Sequence, residues 1–138
     1  MAQNAINVGR ILNKRNKNKI KRGGKKNKNQ SLIMLSANAK GLKSKVESLK
    51  NEILCQNVAI FTIQESHFTK KGKLKIENFE TFEAIRKKQN GGTIIGINKA
   101  LNPMLIKDYS DEFELVVVEI KLHNKEIRII SGYGPQET

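Results

Sequence analysis

Three residues of this chain carry side-chain oxygen atoms at places where an apolar strand gives way to a loop. Asn38 follows the run Leu32-Ile33-Met34-Leu35, Glu65 follows Ala59–Ile63, and Tyr133 follows Ile129-Ile130. An amide and a carboxylate at one edge can hold a hard divalent cation such as Mg²⁺ through oxygen ligands. A phenol beside them can orient a phosphate or a second carboxylate. Each residue also has an ordinary role: Asn38 as a helix cap or turn former, Glu65 as a solvated loop acid, Tyr133 as packing under a turn. The elements that carry them decide whether they meet.

Residues 31–36 read as a short buried strand. Residues 43–55 read as an amphipathic helix, with Leu42, Val46, Leu49, Ile53 and Leu54 at helical spacing. Cys55 ends its apolar side and is expected in the core. Residues 58–63 form a second buried strand. Short apolar strands joined by a helix suit a parallel pair, which sends Asn38 and Glu65 to the same C-terminal edge. A polar, lysine-rich loop follows at 69–78, then strands at 80–85, 93–98, 103–107 and 112–122. His123-Asn124-Lys125 is expected to turn into a last strand at 126–131, ended by Gly132-Tyr133-Gly134-Pro135. Gly91-Gly92 reads as a tight turn, without the spacing of a phosphate-cradling loop. The order is a β-α-β opening and a run of antiparallel strands: an α+β chain with a mixed sheet and few helices.

Charge is distributed unevenly over the 138 residues, whose net charge is +13. Residues 1–30 hold ten cations (Arg10, Lys14, Arg15, Lys17, Lys19, Lys21, Arg22, Lys25, Lys26 and Lys28) and no acid. The remainder has 16 basic and 13 acidic groups. A like-charged block repels itself and attracts polyanions, so 1–30 is expected to be a disordered basic arm, with at most a helical turn or two over 5–12. Such an arm suits a nucleic-acid backbone, or a nuclear or nucleolar address. No aromatic residue interleaves its cations, so base stacking is not indicated. Lys40, Lys70 and Lys71 flank the two site loops and are candidate phosphate contacts, or a solvated face. The single Cys55 permits no internal disulfide and fits a reducing, intracellular compartment. No apolar run approaches the roughly 18 residues of a membrane span.

Four strings come in a telling order: LSANAKGL (35–42), IFTIQESHF (60–68), Gly91-Gly92 before an apolar strand, and ISGYGPQE (130–137). Together they resemble the endonuclease/exonuclease/phosphatase, or DNase I-like, family over residues 31–138. The closest flavour is the apurinic-type endonuclease domain that precedes reverse transcriptase in non-LTR (LINE-like) retrotransposons. The resemblance implies the first half of a four-layer α/β sandwich, a mixed sheet with flanking helices. It implies Mg²⁺- or Mn²⁺-dependent hydrolysis of a phosphodiester, with DNA favoured over RNA as partner. By resemblance Glu65 matches the metal-binding glutamate. Asn38 matches the asparagine that helps organise the metal site, and Tyr133 the tyrosine near the scissile phosphate.

Departures from the family pattern are equally specific. It needs a later Asp-x-Asn motif and a closing Asp-His pair. The only aspartates here are Asp108 and Asp111, and the only histidines His67 and His123, in other contexts. His67 is expected near the site and His123 in a solvated turn. The chain is therefore expected to be an incomplete N-terminal portion, inactive alone, whose missing C-terminal half is followed by reverse transcriptase. The second sheet is expected to be missing, leaving an apolar face bare. The alternative is a non-catalytic nucleic-acid-binding module.

Overall fold

The computed structural model describes residues 7–11, 31–86, 91–110 and 114–134. Its first sheet runs β1 (Asn7–Ile11), β2 (Met34–Asn38), β3 (Ile60–Gln64), β5 (Thr93–Asn98) and β4 (Phe79–Ala84), in that spatial order. β3 is apolar on both faces: Ile60, Phe61 and Ile63 are buried, together with Thr62. It pairs parallel with β2 and antiparallel with β5. The parallel pair was legible in the β-α-β opening, and Asn38 lies opposite Gln64 in its register.

The second sheet is antiparallel: β6 (Met104–Ser110), β7 (Glu114–Leu122) and β8 (Lys125–Tyr133), in the order β6-β7-β8. This corrects two expectations, a single mixed sheet and a missing second one. Val116, Val118 and Ile120 alternate along β7 and point one way. With Ile129 they pack on Ile60, Ala84, Ile95 and Ile97 of the first sheet, so the two sheets bury each other's inner faces. His123 and Asn124 both take positive φ (50° and 62°), which makes the tight two-residue turn that a β7–β8 hairpin favours.

The other face of the first sheet is covered by α1 (Val46–Cys55) and its flanking loops. Leu42, Leu49 and Ile53 are buried there on Leu35, Phe61, Ile63 and Ile94. Each such side chain contributes about 1.5–3 kcal/mol on burial. Leu54 is 78 % exposed and Cys55 is exposed too, against expectation. A helix advances about 100° per residue, so positions 54 and 55 rotate off the stripe set by 49 and 53. Asn57 then turns left-handed (φ 52°) and ends the helical segment.

Residues 7–11, inside the expected arm, form an extended strand rather than a helical turn. Their backbone pairs antiparallel with β2, Asn7 opposite Asn38 and Ile11 opposite Met34. The ladder on the edge of β2 satisfies backbone groups whatever the side chains, so the i, i+3 spacing of Val8 and Ile11 did not decide the outcome. The rest of the arm lies outside the described residues. Described layers thus number three: helix, mixed sheet, antiparallel sheet.

Candidate active site

Glu65 leaves β3 in a left-handed conformation (φ 54°), and His67 repeats it (φ 59°). Non-glycine residues take this conformation at a cost of about 1 kcal/mol or more each, so something must hold them. The loop is stitched on both sides. Gly41 N–H donates to the Glu65 carbonyl at 2.8 Å and Leu42 N–H to the Ser66 carbonyl at 2.9 Å. Ser66 N–H donates to Gly92 O at 3.3 Å and His67 N–H to Gly91 O at 2.9 Å. Gly92 has φ 94°, and a Cβ on it would stand 2.5 Å from Ser66 Oγ. The tight turn foreseen at Gly91-Gly92 therefore also grips the site loop.

The strand register brings Tyr133, the last residue of β8, to this loop. Its hydroxyl donates to Glu65 Oε1 at 2.8 Å, across 68 positions of sequence. That bond holds the phenol above its usual range, because an ionised phenolate would lose it; burial and the charges of Glu65 and Glu114 act the same way, and Arg86 opposes them. Tyr133 is a neutral donor at physiological pH. Asn38 stands at the same sheet edge and is exposed, but its Oδ1 accepts from Lys40 N–H at 3.1 Å. Glu65 and Tyr133 are thus brought together, while Asn38 closes its own turn.

Behind them lies a polar layer between the sheets. Gln64 Nε2 donates to Ser131 Oγ at 3.0 Å, and Ser131 and Thr93 hydroxyls share a short hydrogen bond. Sequence reading missed Glu114, the first residue of β7 and opposite Tyr133 in register. It is fully buried; its Oε1 lies 3.4 Å from Arg86 Nε and accepts from Gly92 N–H at 3.4 Å. Its Oε2 has no hydrogen-bond partner among the described residues. The signal was present: Glu114 shares the inward parity of Val116, Val118 and Ile120, where a carboxylate is costly unless paired.

The basic candidates disperse. Lys40 and Lys70 are exposed, and Lys71 pairs with Asp108 at 3.0 Å. Beneath it Glu83, a second buried acid, accepts from Gly72 N–H at 3.2 Å. Burial pushes the Glu83 carboxyl up from its ordinary value, opposed by the Gly72 amide and Lys71. Arg10 lies in β1; the other nine arm cations, Lys14, Arg15, Lys17, Lys19, Lys21, Arg22, Lys25, Lys26 and Lys28, lie outside the described residues.

No cluster of three or more acidic, histidine or cysteine side chains suited to a metal exists among the described residues. Mg²⁺ does not require one: it commonly keeps several waters and takes one or two carboxylates plus substrate oxygens. Glu65, oriented by a neutral donor on one oxygen, fits that mode.

No family model and no curated protein sequence matches this chain. Solved structures do. The endonuclease domain of TRAS1, a telomere-specific non-LTR retrotransposon, aligns with a TM-score of 0.52 and 22 % identity over 73 % of this chain and 43 % of that one. A humanized D. rerio TDP2 carrying 14 mutations aligns at 0.51 and 13 %, over 73 % and 46 %. D. rerio TDP2 complexed with single-strand DNA product aligns at 0.51 and 14 %, over 73 % and 45 %. The class follows from these and from the two packed sheets: this chain has the DNase I-like fold. More particularly, it spans less than half the length of the domains it matches, and the resemblance drawn from its four strings is to that fold.

Proposed function

We propose that this chain carries the metal-binding half of a phosphodiesterase site acting on DNA, of the kind found in retroelement endonucleases. The observation that carries the reading is the 2.8 Å contact from Tyr133 to Glu65 at the edge where both site strands end. Glu65 would hold Mg²⁺ or Mn²⁺, with the Asn38 amide available at the same edge. Such a cation supplies charge stabilisation to a phosphoryl oxygen and activates water. Tyr133 fixes the carboxylate rotamer and keeps its own proton. The strained, doubly anchored loop holds Glu65 without further reorganisation. The missing Asp-x-Asn and Asp-His groups would normally position the attacking water and protonate the leaving group. In this reading the 138-residue chain alone does not turn over, and residues 31–138 form one folded unit to which the arm of 1–30 adds the edge strand β1. The partners are DNA and a C-terminal half followed by reverse transcriptase, and the setting is nuclear.

A second reading, a non-catalytic nucleic-acid-binding module, is favoured by the ten cations without an acid in residues 1–30. Plasmid nicking and gel retardation separate the two. The metal-site reading expects Mg²⁺ to tighten DNA binding by the full chain, an effect lost in Glu65→Ala. Mg²⁺-dependent nicking that disappears in Glu65→Ala would support the enzyme and overturn the inactivity of the chain alone. Binding that weakens with salt, ignores Mg²⁺, and vanishes when the arm cations become glutamine would support the module instead.

A further inference from the structure

We propose that Arg86 is the phosphate contact of this site and that Glu114 is a positioning residue that aims it. This deepens the phosphodiesterase reading and rests on it.

Glu114 is fully buried at the mouth of the inter-sheet layer, and a carboxylate there is tolerated only when paired and hydrogen-bonded. Its partners are the Arg86 guanidinium and the Gly92 amide, both on Oε1. A hydrophobic residue would serve packing at least as well, so the acid needs a reason. The neighbouring glycine indicates one. A Cβ on Gly91 would lie 2.5 Å from Glu114 Oε1 and 2.8 Å from Arg86 Cδ. The chain thus leaves out a side chain where the pair passes through. Arg86 is not sealed in: a quarter of its side chain is exposed, beside the loop that carries Glu65.

An ion pair at Nε leaves the two terminal NH₂ groups of the guanidinium as donors not used by Glu114. Two such groups can make two parallel hydrogen bonds to a phosphate. The electrostatics require such a cation. The Glu65 and Glu114 carboxyls both lie close enough to act on Tyr133, as does Arg86. A phosphodiester approaching two carboxylates is repelled unless a fixed positive charge offsets them. Lys71 is occupied by Asp108, and Lys40 and Lys70 are exposed and form no ion pair among the described residues.

The test is an NMR titration of the full ¹⁵N-labelled chain with inorganic phosphate in EDTA, so that no metal contributes. It follows the Arg86 Nε–H signal and the Gly92 and Tyr133 amides. Wild type should show a saturable shift of all three. Arg86→Lys keeps the charge and loses the fork, and should bind phosphate about tenfold more weakly at the two amides. Glu114→Gln should weaken binding several-fold and broaden the Nε–H signal. Should Glu114→Gln fail to fold, Arg86→Lys decides alone. Unchanged phosphate affinity in Arg86→Lys, with only a lowered melting temperature, would show that Arg86 merely neutralises Glu114 and would overturn the proposal. In the wild-type chain, a phosphate response without any Mg²⁺ effect on DNA binding counts against the phosphodiesterase reading, and a Mg²⁺ effect without a phosphate response counts against this inference alone.

Discussion

The layer between the two sheets has two ends that differ in kind. At one end Ile60 pairs with Ile97, Ile120 with Ile127, and the contacts are aliphatic. At the other, along the same strands, stand Gln64, Thr93, Ser131, Glu114 and Tyr133. The five residues of β3 take the interior from hydrocarbon at Ile60 to hydrogen-bonded polar groups at Gln64. The aliphatic end holds the sheets together. The polar end contributes less, carries left-handed residues and a carboxylate oxygen with no hydrogen-bond partner among the described residues, and is where the candidate chemistry sits. Stability and function are segregated by position along the strand rather than by domain.

Substitutions at the two ends should break or sharpen that contrast. Ile97→Ala at the aliphatic end should cost about 2–5 kcal/mol in chemical denaturation, a large share of a typical domain's stability, with the residual fold keeping its site. Ser131→Ala at the polar end should cost about 1–3 kcal/mol, because Gln64 Nε2 and the Thr93 hydroxyl both lose a partner. If the two costs were equal, the division would fail. Tyr133→Phe should change stability by only about 1 kcal/mol. The same change should weaken divalent-cation affinity about tenfold, measured by calorimetry, as loss of a ligand's orienting partner does elsewhere.

Smaller effects come from the sheet margin. Glu83 is held protonated more readily in the fold than in the unfolded chain, whose carboxyl titrates near 4.5. The folded state then binds more protons, so this group's contribution falls as pH rises past that value and through the higher folded pKa. Glu83→Gln should therefore raise the melting temperature at neutral pH, keeping the Gly72 contact, and the gain should vanish in acid. A gain that persisted unchanged in acid would contradict burial as the cause. Lys71→Ala removes a largely exposed ion pair with Asp108 and should cost under about 1 kcal/mol.

What the sequence revealed follows the same division. The buried strands, the parallel pair and the hairpin turn were legible, because apolar periodicity and turn residues are local signals; the contact of Tyr133 with Glu65 spans 68 positions and was not. Nor was β1, since Val8 and Ile11 stand three apart, a helical spacing, while the strand is held by a backbone ladder. The second sheet was misjudged because strand pairing is long-range: nothing local separates β6–β8 from β4 and β5. Leu54 and Cys55 were placed on the apolar side of the helix, but they stand one and two helical steps past Ile53 and off the buried stripe. Glu114 and Arg86 were missed although Glu114 breaks the inward alternation of β7, a clue visible only when the parity of that strand is read as a constraint.

One measurement bears most directly on the central claim, that Glu65, oriented by Tyr133, is a divalent-cation ligand at the polar end. Mn²⁺ titrated into the ¹⁵N-labelled full chain should selectively broaden the amide signals of Glu65, Ser66, Gly92 and Tyr133 at low stoichiometry, and Glu65→Gln should abolish that broadening. Broadening spread over surface acids such as Glu47 and Glu126, or unchanged in Glu65→Gln, would contradict it.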